Sequence, residues 1–586
     1  MKKLLIYLKD YKKETVLAPL FKMLEASFEL LVPLVVASMI DVGIAGSDTP
    51  YIVKMSLIMV ALGVIGLVCS ITAQYFSAKA AVGFATKLRH SLFAHVQGLS
   101  FSEVDDIGTS TLITRMTSDI NQVQSGVNLV LRLFLRSPFI VLGAMVMAFT
   151  IDAKAALIFV VTIPLLSVVV FGIMLVSIPL YKKVQERLDK VLGITRENLS
   201  GVRVIRAFHR EVEEQERFED GNQNLTHMQN FVGRITAFMN PVTYMIINGA
   251  LIILLYTGAV RVDAGILTQG QVVALVNYMS QILVELVKLA NLIITVTKAV
   301  ACGNRVQSIF EIENSQMVEE LTGEIQPEAP EPQSKADIGK VCGGTEDEVP
   351  IVEFRHVSLT YRNAGDKSLT DINFAVKRGE TIGIIGGTGS GKTSLVHLIP
   401  RFYDATEGQV LVDGRDVKSY TIGELRRKVG IVLQKAVLFE GTIQDNLRWG
   451  KEDATEEELQ EALAIAQATE VVAGKENGLL ASVSQGGKNF SGGQKQRLTI
   501  ARALVRRPEI LILDDSASAL DYATDARLRG AIRNMKDSPA VFVVSQRTSS
   551  IRYADKIIVL DDGEAVGMGT HEELLAKQGQ YAELYN

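Results

Sequence analysis

The stretch Gly386-Gly-Thr-Gly-Ser-Gly-Lys-Thr393 decides how the second half of this chain folds, because it fits the pattern G-x-x-x-x-G-K-[ST] in full. It follows the apolar run 380–385 and precedes the run 394–399, which predicts the order strand, loop, helix that the pattern requires. Glycines let backbone N–H groups curl around a phosphate chain, and the helix N-terminus adds partial positive charge. The stretch therefore predicts a site for ATP.

The residues of this loop have separate predicted roles. Lys392 should reach the β- and γ-phosphates, and the Thr393 hydroxyl should ligate Mg²⁺. The remaining backbone should cradle the phosphates, at Gly386, Gly387, Thr388, Gly389, Ser390 and Gly391. A second apolar run, 508–515, ends in carboxylates, and Asp514 is the expected acid on the Mg²⁺ side. A glycine-rich turn that binds nothing is the plainer interpretation, and the agreement of motif with context disfavours it.

Composition bounds the class of protein. The 586 residues are enough for several domains, and 48% of them are hydrophobic. The net charge of −5 argues against a nucleic-acid-binding protein. Three scattered cysteines form neither a disulfide framework nor a metal site. The first ten residues have a basic flank but too short an apolar core for a signal peptide, so we expect an amphipathic helix on the membrane surface.

The first half contains segments long enough to cross a bilayer, which takes about 20 apolar residues per helix. Charged residues are absent from four of them, namely 55–78, 155–181, 235–260 and 264–284. The segment 137–151 is shorter but can extend back to 127 if Arg132 and Arg136 snorkel. The first span, 17–40, carries three charges. One such helix could be buried in a soluble core, but a small core cannot hide all of them, so the sequence predicts six spans.

Basic residues predict the orientation. The chain before the first span carries five lysines, and the segment 182–234 carries ten lysines and arginines. The loops on the opposite side are nearly free of them, with none in 41–50 and single residues at Lys154 and Arg261. The positive-inside rule therefore places both termini, and the ATP-binding half, on the cytoplasmic side of a multi-pass cell-membrane protein.

The spans should continue into the cytoplasm, because the apolar helical period persists through 79–136 and 182–234. We expect the tips of these extensions, 111–119 and 200–208, to dock onto the second domain. Glu29 and Glu285 should line a polar cavity, since charges facing lipid are costly. For three further charges a cavity position and a snorkelling position remain equally open: Lys22, Glu25 and Lys288.

These observations predict three regions and a fold class. Residues 1–312 form an α-helical membrane domain with an N-terminal interfacial helix. Residues 313–349 are acidic and proline-bearing, which indicates a flexible linker, either a plain tether or a regulatory segment. Residues 350–586 form an α/β domain around the P-loop, because strand-like and helix-like runs alternate there.

Four further motifs carry a resemblance to a known family. The run Asn489-Phe-Ser-Gly-Gly-Gln-Lys-Gln-Arg-Leu498 resembles the signature motif of ABC ATPases, with Phe490 in place of the usual Leu. Gln434 resembles the glutamine of the Q-loop, and Ser518-Ala-Leu-Asp521 resembles the D-loop. Tyr361 occupies the position of an aromatic that stacks on adenine. Six spans ahead of one such domain resemble the half-transporters of ABC exporters, over essentially the whole chain.

The resemblance implies a dimer of two half-transporters in the membrane. Each of two ATP molecules would lie between the P-loop of one chain and the signature of the other, so the ATP-contacting residues would include Ser491, Gly492, Gly493, Gln494 and Asp521. Gln434 would have a catalytic and Mg²⁺-contacting role. Six spans exclude a soluble ABC ATPase.

Two positions depart from the family pattern. The catalytic Glu after the Asp514 strand is replaced by Asp515, and the switch His after the run 540–545 is replaced by Gln546. Asp is one methylene shorter and falls roughly 1–1.5 Å short, a misplacement that can cost about 100-fold in rate. Gln keeps a hydrogen bond but cannot become cationic. Both losses affect the same step, which predicts a slowly hydrolysing ATP site and a heterodimer whose partner carries the Glu and the His. The alternative hypothesis, that both substitutions are tolerated and the chain forms a homodimer, remains open.

The expected activity is ATP-driven export by alternating access. Few charges and many Met, Phe and Ile residues in the spans favour amphipathic or hydrophobic cargo, with multidrug export as the leading expectation. Peptide or lipid export is the alternative within the class. From a different class, the chain could be an ATP-binding regulatory membrane subunit that transports nothing.

Overall fold

The computed structural model describes residues 2–316, 349–362, 364–577 and 579–585. The chain divides into two compact units. The first contains Met1–Gln97 and Ser110–Ile312, and the second contains Gly98–Thr109 and Glu313–Asn586. Most of the predicted linker, residues 317–348, lies outside the described residues.

The first unit is helical. A 3₁₀ helix at Lys2–Tyr11 precedes the first long helix, and π-helical turns occur at Met39–Ile44 and Arg115–Asp119. The α-helices of the chain up to residue 310 are α1 (Lys12–Ser38), α2 (Thr49–Gly98), α3 (Phe101–Ile107), α4 (Thr109–Thr114), α5 (Ile120–Leu133), α6 (Arg136–Ile151), α7 (Ala153–Ser200), α8 (Val202–Ala207), α9 (Glu211–Ala237), α10 (Met239–Asp263) and α11 (Gln269–Phe310). Of these, α3 belongs to the second unit.

Six helical stretches in the described residues are long and apolar enough to cross a membrane. They are Lys3–Ile44, Thr49–Gly98, Thr109–Ile151, Ala153–Ser200, Glu211–Asp263 and Gln269–Phe310. The prediction of six spans is therefore confirmed. The longest uninterrupted helix, α2, has 50 residues, which at 1.5 Å per residue gives about 75 Å, far more than a hydrocarbon core of about 30 Å. The predicted continuation of the spans beyond the bilayer is present.

Small residues let the spans pack closely. Ala26, Ala144, Ala148 and Ala155 are buried in the core formed by α1, α6, α7, α10 and α11. Close backbone approach through alanine is the usual packing of membrane helices, since lipid offers no hydrophobic drive for association. A buried hydrogen bond adds to this packing, because the Tyr278 hydroxyl of α11 donates to the Leu30 carbonyl of α1 at 2.6 Å.

The second unit has α/β architecture. Its helices after residue 316 are α12 (Lys392–Leu398), α13 (Ile422–Lys428), α14 (Ile443–Arg448), α15 (Glu456–Ile465), α16 (Thr469–Ala473), α17 (Gly492–Leu504), α18 (Tyr522–Arg533), α19 (Thr548–Ile551), α20 (His571–Ala576) and α21 (Gln580–Tyr585). Its strands are β1 (Val352–Leu359), β2 (Leu369–Val376), β3 (Thr381–Gly386), β4 (Glu407–Val412), β5 (Arg415–Asp416), β6 (Val429–Val432), β7 (Gly441–Thr442), β8 (Ser482–Val483), β9 (Ile510–Asp514), β10 (Ala540–Val544), β11 (Lys556–Asp561) and β12 (Glu564–Gly569).

The strands form a central sheet with the order β12-β11-β3-β10-β9-β6, a four-stranded antiparallel sheet with the order β2-β1-β4-β5, and the pair β7-β8. In the central sheet, the five strands from β11 to β6 run parallel. Side chains alternate between its faces: Leu511 and Leu513 enter one core, and Ile510 and Ile512 enter the other. Both faces are covered, as parallel sheets require.

Sheet order also brings the predicted motifs together. The P-loop follows β3, Gln546 comes two residues after β10, Asp514 ends β9, and Gln434 comes two residues after β6. These four strands are consecutive neighbours and parallel, so their carboxyl ends share one edge of the sheet. Ligands of open α/β sheets bind at that edge.

Candidate functional site

A cleft of about 340 Å³ lies at this edge of the sheet. Its walls contain the predicted residues Tyr361, Gln434, Asp514, Asp515 and Gln546, together with most of the P-loop, from Thr388 to Thr393. The structure therefore brings together residues that are up to 185 positions apart, from Tyr361 to Gln546.

The P-loop wraps around the ammonium group of Lys392. Its Nζ donates hydrogen bonds to the carbonyl oxygens of Gly386 at 2.9 Å and Gly387 at 2.5 Å. Burial lowers the pKa of Lys392 below its usual value, while the nearby carboxylates of Asp515 and Asp514 raise it. Gly391 has φ +91°, and a Cβ there would come within 2.7 Å of the Ser368 carbonyl oxygen. The glycine is thus needed for the sharp turn that positions Lys392.

The donor set opposite the loop suits a divalent cation. The Thr393 hydroxyl donates to Asp514 Oδ1 at 3.1 Å. The other oxygen of this buried carboxylate, Oδ2, has no hydrogen-bond partner among the described residues. Burial raises the pKa of Asp514, which a bound cation would oppose. Mg²⁺ prefers oxygen ligands such as carboxylates and hydroxyls, so Thr393 and Asp514 fit the ion that the sequence predicts. A bound Mg²⁺ would help to neutralise the negative charge on the phosphates.

Asp515 lies at the start of the turn after β9. Its φ is +45°, a region that Asp tolerates better than most residues. Its N–H donates to the Val544 carbonyl at 3.0 Å, and its Oδ2 accepts a long 3.4 Å contact from Gln434 Nε2. Gln546 lines the same cleft and is exposed. The two residues that depart from the family pattern therefore border the same cavity as Lys392.

The four residues of the predicted signature lie elsewhere. Ser491 is the N-cap of α17, where its hydroxyl accepts from the Gln494 N–H at 3.3 Å and its own N–H donates to Gln494 Oε1 at 3.0 Å. None of the signature residues, including Gly492 and Gly493, lines the cleft. Ser491 and Gly492 are exposed at the N-terminus of a 13-residue helix. This surface is available to a second molecule.

Three further predicted residues have local partners. Asp521 caps α18 by accepting from the Thr524 N–H at 2.8 Å and does not line the cleft. The Tyr361 hydroxyl contacts Ser394 Oγ at 2.8 Å, and its ring packs edge-on against Tyr403, with 5.0 Å between the ring centroids. Stacking of Tyr361 on adenine stays a prediction. Phe490 is buried under the Lys475 ammonium, 4.6 Å from the ring centroid, so an aromatic here fills the core.

One residue beside the cleft was not predicted. His397 follows the P-loop on α12, and its Nε2 lies 3.9 Å from Asp514 Oδ2. Burial lowers the pKa of His397 to about 4, so the imidazole is neutral near neutral pH. The sequence signal is a histidine at helical spacing from Thr393 (i, i+4), which places both on one face of the helix.

Docking of 111–119 onto the second domain stays a prediction. Residues 110–119 belong to the first unit, where Asp119 accepts from Arg305 of α11 at 2.6 Å and from Arg115 at 2.8 Å. The segment grouped with the second unit is Gly98–Thr109, which contains α3. A capping box at Ser100 and Glu103 begins α3, and Gly108, with φ +77°, ends it.

Within the second unit, helix α3 packs against the rest of the unit through aromatic rings. Phe101 stacks on Phe402 with 4.3 Å between ring centroids, and the Arg426 guanidinium lies 5.2 Å from the Phe402 ring. The Tyr403 hydroxyl donates to Asp105 Oδ2 at 2.5 Å. Since α3 lies in sequence between the helical stretches Thr49–Gly98 and Thr109–Ile151, it connects the second unit covalently to two of the predicted spans. The other predicted tip, 200–208, contains α8 in the first unit, and its docking stays a prediction.

A chain with six membrane-spanning helices and an α/β domain built around a P-loop cleft is an ATP-binding membrane protein. Comparisons with known proteins narrow this class. A family model described as "ABC transporter transmembrane region" matches residues 15–286, and one described as "ABC transporter" matches residues 369–518.

Relatives match over nearly the whole chain. An uncharacterized ABC transporter ATP-binding protein of Mycobacterium tuberculosis is 35% identical over 582 residues, covering 98% of this chain and 96% of that protein. A putative multidrug export ATP-binding/permease protein of Bacillus subtilis is 33% identical, covering 100% of this chain and 98% of that protein. An ATP-dependent lipid A-core flippase of Desulfotalea psychrophila is 33% identical, covering 85% of this chain and 83% of that protein.

A solved structure gives the fold. The structure of a bacterial Atm1-family ABC exporter with ATP bound superposes with a TM-score of 0.76 at 22% identity, covering 98% of this chain and 97% of that one. The chain belongs to the ABC transporter family. It is an ABC half-transporter with the fold of an ABC exporter, a multi-pass membrane protein whose ATPase domain is cytoplasmic.

Proposed function

We propose that this chain is the slowly hydrolysing half of a heterodimeric ABC exporter. The observation that carries this proposal is the composition of one cleft. Lys392, Thr393 and Asp514 keep the groups that hold ATP and Mg²⁺, whereas Asp515 and Gln546 border the same cavity in place of a glutamate and a histidine. Binding is therefore retained and water activation is weakened.

The geometry at Asp515 supports the proposal of slow hydrolysis. Its carboxylate reaches only a 3.4 Å contact with Gln434, and it is one methylene shorter than the glutamate of the family pattern. A carboxylate that stops short of the attacking water loses proximity, for which about 100-fold in rate is a typical cost. Gln546 can accept and donate a hydrogen bond but adds no positive charge near the γ-phosphate.

The signature supports the dimer. ABC exporters act as dimers of half-transporters, and Ser491 to Gln494 lie outside their own chain's cleft. We assign them, with Asp521, to the ATP bound by the partner's P-loop. Gln434 would contact Mg²⁺ in this chain's cleft, and Tyr361 would stack on adenine. The partner then carries the catalytic Glu and switch His and performs most of the turnover, using the intact signature of this chain.

Coupling to transport follows from α3 and from the second predicted tip. In our proposal the membrane domain is 1–312, the linker is 313–349 and the nucleotide-binding domain is 350–586. Helix α3 is part of the membrane-domain sequence but packs against the nucleotide-binding domain. The tip 200–208 presents exposed apolar side chains, Val204 and Phe208, at 61% and 73% exposure. We assign this tip to the partner's nucleotide-binding domain, so that ATP-driven closure moves the spans of both chains.

Amphipathic or hydrophobic compounds are the proposed cargo, moved out of the cytoplasm. One relative is named a putative multidrug exporter and another a lipid A-core flippase, and both kinds of cargo are amphipathic. Multidrug export is our first choice and lipid or peptide export the second. A homodimer with two slow sites and a regulatory subunit that transports nothing are the competing functions.

Transport in sealed vesicles tests the proposal. Inside-out vesicles containing this chain and its partner should accumulate an amphipathic fluorescent dye when ATP is added, and the same vesicles with ADP should not. Vesicles containing this chain alone should accumulate little dye. ATP binding without ATP-dependent accumulation of dye or labelled lipid in the paired vesicles would support the regulatory subunit instead.

Phe101→Ala should uncouple ATP turnover from transport. The substitution removes the ring that stacks on Phe402, and typical coupling energies between sites correspond to a loss of roughly 5- to 100-fold in transport. ATP turnover should be reduced far less, because Phe101 does not line the cleft. The matched control is Ser102→Ala on the same helix. Equal transport by both variants would contradict a coupling role for α3.

A further inference from the structure

A second cavity lies within the membrane domain, between α1 and α11. Its volume is about 390 Å³. The α1 wall is mainly apolar, with Val32, Pro33 and Val36, whereas the α11 wall carries polar side chains at helical spacing, Asn277, Gln281 and Lys288. The cavity is therefore amphipathic, with one apolar side and one polar side.

Four charges of alternating sign form a chain beside this cavity. The Lys288 ammonium donates to Glu285 Oε1 at 2.8 Å, Arg136 Nη1 donates to the same oxygen at 2.8 Å, and Arg136 Nη2 donates to Glu29 Oε2 at 2.7 Å. The Ser137 hydroxyl satisfies the second oxygen of Glu285 at 2.8 Å. Both oxygens of Glu285 and two nitrogens of Arg136 are thus engaged, whereas the buried Arg136 Nε has no hydrogen-bond partner among the described residues.

Exposure differs sharply between the inner and outer members. The side chains of Glu285 and Arg136 are 4% and 9% exposed, whereas those of Glu29 and Lys288 are 41% and 44% exposed. Both outer residues line the cavity. The cavity therefore presents one half-exposed carboxylate and one half-exposed ammonium group, while the Glu285 carboxylate, which also lines it, is nearly buried and already paired with Arg136 and Lys288.

The charges lie in the cytoplasmic half of the bilayer. At a rise of 1.5 Å per residue, Glu29 lies about 22 Å along the helix from its extracellular end at Ile44. Lys288 lies about 28 Å along α11 from the extracellular end of that helix at Gln269. For a hydrocarbon core about 30 Å thick that begins at these extracellular helix ends, both residues fall in its cytoplasmic half.

From this arrangement we infer that the cavity binds a zwitterionic amphiphile, whose ammonium group pairs with Glu29 and whose phosphate or carboxylate pairs with Lys288. The apolar part of the ligand lies along the α1 wall. An amphiphile that carries charge of one sign only can pair with just one of the two outer residues. This inference names the cargo class for the proposed exporter and in that respect rests on the proposed function.

The shared chemistry has two sources, a lipid headgroup with a primary amine and an amphipathic peptide with free termini. The probes are therefore lauroyl-lysophosphatidylethanolamine and the dipeptide phenylalanyl-leucine. Dodecylamine and dodecyl phosphate supply the same kind of tail with charge of one sign only. Binding is measured without ATP, by competition against radiolabelled lauroyl-lysophosphatidylethanolamine, and directly with labelled dipeptide, on the purified complex in dodecyl maltoside.

The wild-type complex should bind a zwitterion at least about tenfold more tightly than dodecylamine or dodecyl phosphate, because a hydrogen bond between charged groups contributes that much. Glu29→Gln should remove the preference over dodecyl phosphate, and Lys288→Gln should remove the preference over dodecylamine. The matched controls, Lys298→Gln on the same helix and Glu213→Gln on α9, should change neither preference.

If the lipid probe binds more tightly, the natural ligand is a lipid; if the dipeptide binds more tightly, it is a peptide. Either conclusion requires that Glu29→Gln and Lys288→Gln each abolish the tighter binding. Equal affinity for all probes, or preferences that survive Glu29→Gln and Lys288→Gln, would overturn the inference. If these preferences are absent while vesicles still accumulate dye, only this inference fails. If the preferences are present while vesicles transport nothing, the export proposal fails and the binding site remains.

Discussion

ATP turnover at this chain's own site is expected to rise by about 100-fold when Asp515→Glu and Gln546→His are combined, because a misplacement of about 1 Å typically costs that much. The added methylene extends the carboxylate toward the attacking water, and the imidazole adds a group that can become cationic beside the γ-phosphate. The measurement is single-turnover hydrolysis in a complex whose partner cannot hydrolyse.

The matched control for this experiment is Asp562→Glu. Asp562 is exposed, lies outside the cleft and has φ +44°, nearly the same as φ +45° at Asp515. It therefore reports any general cost of placing the longer side chain in the left-handed region, where L-residues are disfavoured. If the double variant folds as stably as this control and hydrolyses no faster than the wild type, Asp515 and Gln546 are not the cause of slow turnover.

Glu285→Gln should destabilise the membrane domain by about 3–5 kcal/mol, because removing one partner of a buried ion pair leaves an uncompensated charge. Arg136 would keep only the half-exposed Glu29, and Lys288 would lose its partner. Thermal unfolding of the purified complex in detergent measures the loss. The comparison variant is Glu213→Gln, which breaks the exposed pair with Arg210 and should cost only about 0–1 kcal/mol.

Replacing both buried charged residues distinguishes the effect of an unpaired charge on stability from the effect of lost packing. Arg136→Met combined with Glu285→Leu removes the buried pair together, and well-packed apolar replacements of such pairs are often neutral for stability. The double variant should therefore be more stable than Glu285→Gln alone. Unfolding temperatures for Glu285→Gln that match those of Glu213→Gln would show that the chain of charges does not hold α1, α6 and α11 together.

The ATP cleft could be predicted from sequence because its parts are short and each follows a strand. The P-loop and Asp514 are recognisable without knowing which strands are neighbours, and parallel strands bring their carboxyl ends to one edge. The sequence did not predict the neutral His397, because whether a histidine on a helix faces the metal side depends on burial by distant residues.

The docking segment at the end of the second span was missed for a different reason. Periodicity indicated that helices extend beyond the bilayer but not where they reverse. The local signals were present, namely Ser100 and Glu103 at capping-box spacing and a glycine at 108. They mark α3 at 101–107, about ten residues before the expected tip.

The chain of charges shows what periodicity cannot supply. Glu29 and Glu285 were expected in a cavity because charges avoid lipid, and both line one. Their common partner, Arg136, was expected to snorkel to the interface, yet it is buried between them. Helical spacing gives the face of a side chain, whereas the pairing of residues 107 and 149 positions apart depends on how the helices pack.

Two variants of this chain test the central claim most directly, because they act on different ATP sites. Ser491→Ala alters the signature that we assign to the partner's ATP, and Asp515→Asn alters this chain's own cleft. Since loss of an N-cap costs about 1 kcal/mol, the unfolding temperature of each complex is recorded alongside its ATPase activity.

The measurement is steady-state ATP turnover of each variant in a one-to-one complex with a half-transporter that carries the catalytic Glu and the switch His. We expect Ser491→Ala to reduce turnover by about 100-fold, as removal of one positioned hydrogen-bond donor does elsewhere, and Asp515→Asn to leave turnover nearly unchanged. Loss of turnover in Asp515→Asn as large as that in Ser491→Ala would contradict the slow-site mechanism.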